Sequence, residues 1–164
     1  MPSFLNQHSL LKNMSIAEKK IMKILKQNNI EVEVYEHEPV YTCEQAARVR
    51  GVAPNEGIKC LLLKSERGFV LAITRGDLRL NLKKLAKLEN TKKLRFANED
   101  EIEKIAECQK GCVHPFCNVK TYFDSILLSN ETIEFNPGSH TKSVRIRIRD
   151  LLKLLNKPII EHIS

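Results

Sequence analysis

Residues Gly57-Ile58-Lys59-Cys60-Leu61-Leu62-Leu63-Lys64, then Ser65-Glu66-Arg67-Gly68, then Phe69-Val70-Leu71-Ala72-Ile73-Thr74 leave a folding chain few choices. Two mostly apolar runs separated by turn formers read as two strands joined by a four-residue hairpin loop. Lys59 opens the first of these core strands. A lysine there is either an edge residue that snorkels to water or an ammonium held in a partly apolar cleft, where it can act on anionic or carbonyl groups.

With 164 residues, 42% of them hydrophobic, the chain can bury one full core and is too short for two ordinary domains. It contains no apolar run long enough to span a membrane, and its first thirty residues lack the apolar centre of a signal peptide, so a cytoplasmic protein is expected. Twenty-seven Lys and Arg against twenty Asp and Glu give a net charge of +7, a balance that favours polyanionic partners without naming one. Cys43, Cys60, Cys108, Cys112 and Cys117 are odd in number and follow no export signal, so reduced thiols are expected rather than a disulfide framework.

Residues 1–14 show no periodicity and read as a loosely held lead-in to a single domain over 15–164. Ser15-Ile16-Ala17-Glu18 has the capping-box pattern, and Ile21, Ile24 and Leu25 follow at helical spacing, which predicts a helix from Ile16 to Gln27. Glu31 to Glu36 alternates as a half-buried strand that delivers Tyr35 and His37 just before Pro39. Thr42-Cys43-Glu44-Gln45 opens a short helix that Gly51 can stop. Further short helices are expected around Leu82, Leu85 and Leu88 and after Asn98 with Glu101. Strands are expected at 94–97, Tyr122 to Leu128 and Thr132 to Phe135. Ser143 to Arg149 alternates strictly, with Arg145, Arg147 and Arg149 on one face, and Asp150 is placed to cap a closing helix. Strands that outnumber helices and are partly hairpin-connected point to a mixed α/β (α+β) single domain with a curved or barrel-like sheet surrounded by short helices.

Three constellations carry chemistry. Cys108, Cys112, His114 and Cys117 supply enough soft ligands for zinc, but their spacing lacks the paired C-x2-C form, so neither a metal nor any other cofactor is expected. Cys112 with His114, or with His37 or His140 in space, has the elements of a nucleophile and base, although nothing in the sequence orients them. The row Arg145, Arg147 and Arg149 is either a phosphate-binding surface or a solvated sheet face. It lacks the interleaved aromatics that base stacking needs.

Taken in order, Tyr35-Glu36-His37-Glu38-Pro39, the Thr42 helix ending at Gly51, Gly57 to Leu63, Gly76-Asp77 with Leu82-Lys83-Lys84-Leu85-Ala86, Gly111-Cys112-Val113-His114-Pro115-Phe116 and Asn136-Pro137-Gly138-Ser139-His140 resemble the YbaK/ProX family of aminoacyl-tRNA editing domains over roughly Ile16 to Leu155. The resemblance implies hydrolysis of the ester joining a wrong amino acid to tRNA. It places Lys59 at the tRNA 3′ end with Tyr35 near it, makes the Gly111 to Pro115 loop the wall of the aminoacyl pocket, and makes Gly138 and Ser139 a second pocket loop. The family often has a small or hydroxyl residue where His114 stands and a glycine where Cys117 stands.

Such hydrolysis needs an anionic end held still, an aimed water and donors for the oxyanion. Lys59 and the backbone of a Gly-Pro loop supply the first and last, and no side chain is assigned as the base. The expected function is a trans-acting deacylase acting on aminoacyl-tRNA, with a synthetase such as prolyl-tRNA synthetase as a further partner. The competing reading is a module of the same fold that binds tRNA or a synthetase without hydrolysis. If His114 and Phe116 narrow the pocket, a small amino acid of the Ala, Ser or Cys class, for example on tRNA-Pro, is preferred over a bulky one.

Overall fold

The computed structural model describes residues 14–51 and 53–164, so the expected lead-in lies, except for Met14, outside the described residues. The elements in chain order are α1 (Ile16–Gln27), β1 (Glu33–Glu36), α2 (Cys43–Arg50), β2 (Ile58–Ser65), β3 (Gly68–Arg75), α3 (Leu82–Leu88), β4 (Arg95–Phe96), α4 (Glu99–Ala106), β5 (Lys120–Asp124), β6 (Thr132–Phe135), β7 (Lys142–Arg147), α5 (Ile148–Leu154) and β8 (Ile159–Glu161). Single 3-10 turns occupy Pro54–Glu56 and Ser125–Ser129. No helix among the described residues is long and apolar enough to cross a membrane.

The hairpin sets the frame. β2 and β3 pair antiparallel from Ile58↔Arg75 to Ser65↔Gly68, so the loop is only Glu66-Arg67, two residues rather than the four expected. Ser65 and Gly68 both join the ladder, because a tight turn leaves its flanking residues free to pair. β5 then adds parallel to β3, β8 parallel to β5, and β4 covers the far end of β2, giving the order β4-β2-β3-β5-β8. Alternation along these strands fills two cores. Leu62, Leu71, Ile73 and Phe123 face α1, α4, α5 and the second sheet, whereas Leu63, Val70, Ala72 and Tyr122 face Leu85 of α3 and Ile163.

The second sheet is β1-β7-β6, all antiparallel. One parallel bridge, Gly57↔Glu134, joins it to the first. The single curved, barrel-like sheet of the sequence reading is therefore replaced by two open sheets meeting at a one-residue seam. The 3-10 turn over Pro54–Glu56 stands immediately before Gly57, and a helical turn cannot extend a ladder.

Capping explains most helix starts and several departures. Ser15 Oγ accepts from the Glu18 amide and Thr42 Oγ1 from the Gln45 amide, and at Asn98 both halves of the box with Glu101 are formed. Asp124 accepts from the Ile126 amide at 3.4 Å and turns the chain into a 3-10 helix, which is why the strand expected to reach Leu128 stops at Asp124. β7 likewise ends at Arg147. Arg147, not Asp150, occupies the cap of α5, and the buried Asp150 carboxylate sits one turn inside, accepting from Arg147 Nε at 2.8 Å. β8, only three residues long, is too short to show an alternating pattern and was not expected.

Gly138 marks a close approach between α1 and the loop after β6. Its φ is +86°, its carbonyl accepts from Ser15 Oγ at 3.0 Å, and a Cβ there would lie 2.9 Å from Ala17 Cβ. Gly138→Ala should therefore destabilise the fold by about 2 kcal/mol or more, through strain and overlap together. Thermal unfolding checks this, and an unchanged midpoint would mean that α1 can shift freely.

Candidate active site

β2 is paired with β3 along its whole length, but β4 covers only Leu63 and Lys64 on the opposite edge. The rest of that edge fronts a cleft of about 610 Å³ between β2, the start of α2, the loop after α4 and the end of β6. Its floor is apolar, with Ile58, Leu62, Ala97, Val113 and Phe135, and Lys59, Lys110, Lys142, Glu44 and Glu134 bring charge to it. Lys59, second residue of β2, is half-buried at this lining. A lysine ammonium is a compact point charge, which suits one at a cleft lining to an incoming anion.

The Gly111 to Phe116 loop reaches the cleft with only two of its residues, Gly111 and Val113. Cys112, His114 and Pro115 are buried, and Phe116 packs edge-on against Phe135 at 5.8 Å. His114, expected as a pocket wall, instead ties the loop to α4. Its Nε2 donates to the Ala106 carbonyl at 2.8 Å and its Nδ1 accepts from the Phe116 amide at 3.1 Å. Burial holds this imidazole below its ordinary pKa, hence neutral, and both ring nitrogens are engaged. It cannot serve as the base for Cys112. Burial pushes the Cys108 and Cys117 thiols to about 12 and Cys112 to about 11, so all three stay protonated and are poor nucleophiles. Among the described residues, no three His, Cys, Asp or Glu side chains are placed to hold one metal ion.

The second expected pocket loop lies elsewhere. Gly138, Ser139 and His140 line a separate hollow of about 1120 Å³ with Ser15, Glu18 and Thr141. Asn136 shapes this turn, its Oδ1 accepting from the Gly138 amide at 2.9 Å and the Ser139 amide at 2.7 Å. His140 links the two depressions. Its ring packs at a tilt of 43° against Tyr41, centroids 4.6 Å apart, and it presses on Gly111, where an added Cβ would stand 3.1 Å from His140 Cε1. Gly111 is needed at φ +86° to leave that ring its place.

His37 reaches the cleft through a neighbour. Its Nδ1 faces the Glu38 carbonyl at 2.8 Å and so carries the proton, which leaves Nε2 to accept from Ser143 Oγ, also at 2.8 Å. Ser143 lines the cleft. Tyr35 lies on the same face of β1, across from Ser143, but its hydroxyl donates to Glu33, a bond that raises its pKa, and it is not part of the cleft lining.

The expected arginine row is broken. Arg145 lies against Thr132 and Glu56 on β7, Arg147 holds Asp150, and Arg149 stands exposed on α5. Four cleft groups were not singled out from sequence. Glu134 is 1% exposed. In Thr132-Ile133-Glu134-Phe135 it reads as the polar face of a half-buried strand, yet the seam at Gly57 covers that face too. Lys142 is paired with Glu18 of α1, 124 residues away. Tyr41 and Phe96 line the cleft while remaining exposed, and the signal that would have found them is an aromatic just outside a capping motif or on an edge strand.

A family model described as an aminoacyl-tRNA editing domain matches residues 37–154. The chain is 27% identical over 154 residues to the multifunctional Ser/Thr-tRNA deacylase ProXp-y of Escherichia coli (strain K12), covering 89% of this chain and 92% of that protein. It is 27% identical over 148 residues to the prolyl-tRNA editing protein ProX of Acetoanaerobium sticklandii, covering 85% and 90%. In fold it is similar to the crystal structure of a candidate trans-editing enzyme for prolyl tRNA synthetase, with a TM-score of 0.82 at 23% identity over 93% of this chain and 99% of the other.

Proposed function

This chain belongs to the aminoacyl-tRNA editing domain family, and from that membership we propose that it is a trans-acting hydrolase that removes wrongly attached amino acids from tRNA, with the Lys59 cleft as its site. The observation that supports this site most is that the half-buried Lys59, apolar side chains and the side-chain-free Gly111 line a single cleft. Lys59 holds the negative charge of the tRNA terminus or of the oxyanion that forms as water adds to the ester carbonyl. The Ser143 hydroxyl, backed by His37, gives the attacking water a hydrogen-bonding partner and its proton a route to Nε2. Collapse of the adduct then expels the ribose hydroxyl and leaves the free amino acid.

The amino acid side chain rests on Val113 and Phe135, and a small residue of the Ala, Ser or Cys class is preferred. Since His114 faces the core, size selection belongs to Val113 and Phe135. Arg145, Arg147 and Arg149 lie at the junction of β7 and α5, and with the overall charge of +7 they offer the tRNA backbone an electrostatic surface. A prolyl-tRNA synthetase is a suitable source of the mischarged substrate.

The test is release of labelled amino acid from a panel of mischarged tRNAs. Alanyl, seryl or cysteinyl esters should be cleared at least about tenfold faster than valyl or phenylalanyl ones, because overlap rejects large groups firmly while small groups are separated weakly. Equal rates across the panel would remove the size-selective pocket. Binding of tRNA with no release from any member would favour a non-catalytic module.

A further inference from the structure

The chain has three Tyr, six Phe and no Trp. Among the described residues, only Tyr41 and Phe96 of these are exposed, at 67% and 50%, and both line the Lys59 cleft. Exposed apolar residues scattered singly are ordinary, but two aromatics sharing one cleft point to a ligand with flat apolar faces.

The Tyr41 ring is held from behind, and Phe96 is held through its backbone. The Tyr41 amide donates to Gln45 Oε1 at 3.0 Å, which fixes Tyr41 at the start of α2, and its ring leans on His140, itself anchored by Nδ1 to the Val40 carbonyl at 3.2 Å. Phe96 sits in β4 opposite Leu63, and its neighbour Arg95 is tied to Glu101 at 2.7 Å. Each aromatic thus has an anchored position while much of its surface stays open to solvent. Three lysines against two carboxylates on the same cleft add attraction for a phosphate-linked ligand.

Resting on the deacylase reading, we propose that Tyr41 and Phe96 are stacking surfaces for the unpaired nucleobases at the substrate's 3′ end. The terminal base lies on Tyr41, beside Gly111 and the ester, and the preceding base lies on Phe96. Every base offers a π-face, so this arrangement grips the end common to all tRNAs and leaves discrimination to the amino acid pocket.

The experiment compares wild type, Tyr41→Ala and Phe96→Ala on the alanyl ester of the trinucleotide CCA and on versions lacking the terminal or the preceding base. Tyr41→Ala should lower kcat/KM on the intact ester about tenfold or more, mainly through KM. Removing the terminal base should cost the wild type a similar factor, and the two losses should not multiply when combined. The same pattern is expected for Phe96 with the preceding base. Losses that multiply, or alanine variants that retain wild-type KM, would overturn the proposal, as would an effect seen only when a synthetase is present. Binding of the uncharged trinucleotide, measured by calorimetry, separates this from the deacylase reading. If the wild type hydrolyses nothing, the reading of the function falls, while the stacking surfaces stand if Tyr41→Ala still weakens that binding and fall if it does not.

Discussion

Lys59→Ala should lower deacylation of a mischarged tRNA by about 100-fold or more, with the fold intact. Lys59 is half-buried at the open edge of β2, outside both buried cores, so its truncation removes no core packing. On the proposed mechanism it removes the charge on which the terminal anion or the oxyanion settles, and positioning of that kind is worth several powers of ten in rate. Lys59→Arg is not a rescue, because a guanidinium spreads its charge over a planar fork and cannot replace a point charge at the same distance. Steady-state kinetics with a thermal melt on the same sample decides it. A folded Lys59→Ala protein with near-wild-type turnover would remove Lys59 from the chemistry.

The second large effect is on stability. Glu18 and Lys142 form an ion pair between α1 and β7 with side-chain exposures of 3% and 16%. Lys142→Met leaves the Glu18 carboxylate buried without its cation, which should cost about 3–5 kcal/mol, whereas replacing both by apolar residues of similar volume should recover most of that loss. Denaturant unfolding of both singles and the double checks this. A double variant no more stable than Lys142→Met alone would show that the pair is not the source of the penalty.

That pair also shows where a sequence stops being informative. Ser15 and Glu18 have the spacing of a capping box, and α1 begins where the pattern says, yet the Glu18 carboxylate leaves its cap and crosses to Lys142, a partner no local rule connects to it. Asn98 with Glu101 follows the same pattern and completes it, because Arg95 and Lys64 reach the Glu101 carboxylate where it stands and leave it bonded to the Asn98 amide. Local chemistry therefore made the helix starts legible, and tertiary partners decided the rest.

The site divides in the same way. Lys59 and Gly111 were readable, one as a cation out of place in an apolar strand and the other as a glycine before a proline-bearing loop, and both line the cleft. His114 was readable only as a histidine in that loop. Whether it faces the cleft or the core depends on the Ala106 carbonyl at the end of α4, which periodicity does not place. Arg149 was put in line with Arg145 and Arg147 by strict alternation, but the Asp150 carboxylate one turn inside α5 draws the chain into a helix at Ile148. The sheet division is the least legible feature, since among the described residues the two sheets are joined by one bridge, between Gly57 and Glu134, where periodicity suggests continuous pairing.

The central claim is that the ester is cut in the Lys59 cleft, not in the hollow beside Gly138. The most direct measurement is an NMR titration of the isotopically labelled protein with an alanyl-adenosine analogue whose ester is replaced by an amide. Shifts are expected at Gly57 to Leu62, Gly111, Val113 and Ser143, the residues around that cleft. Shifts confined to Ser15, Glu18, Ser139 and Thr141 would place the substrate in the other hollow and contradict the assignment.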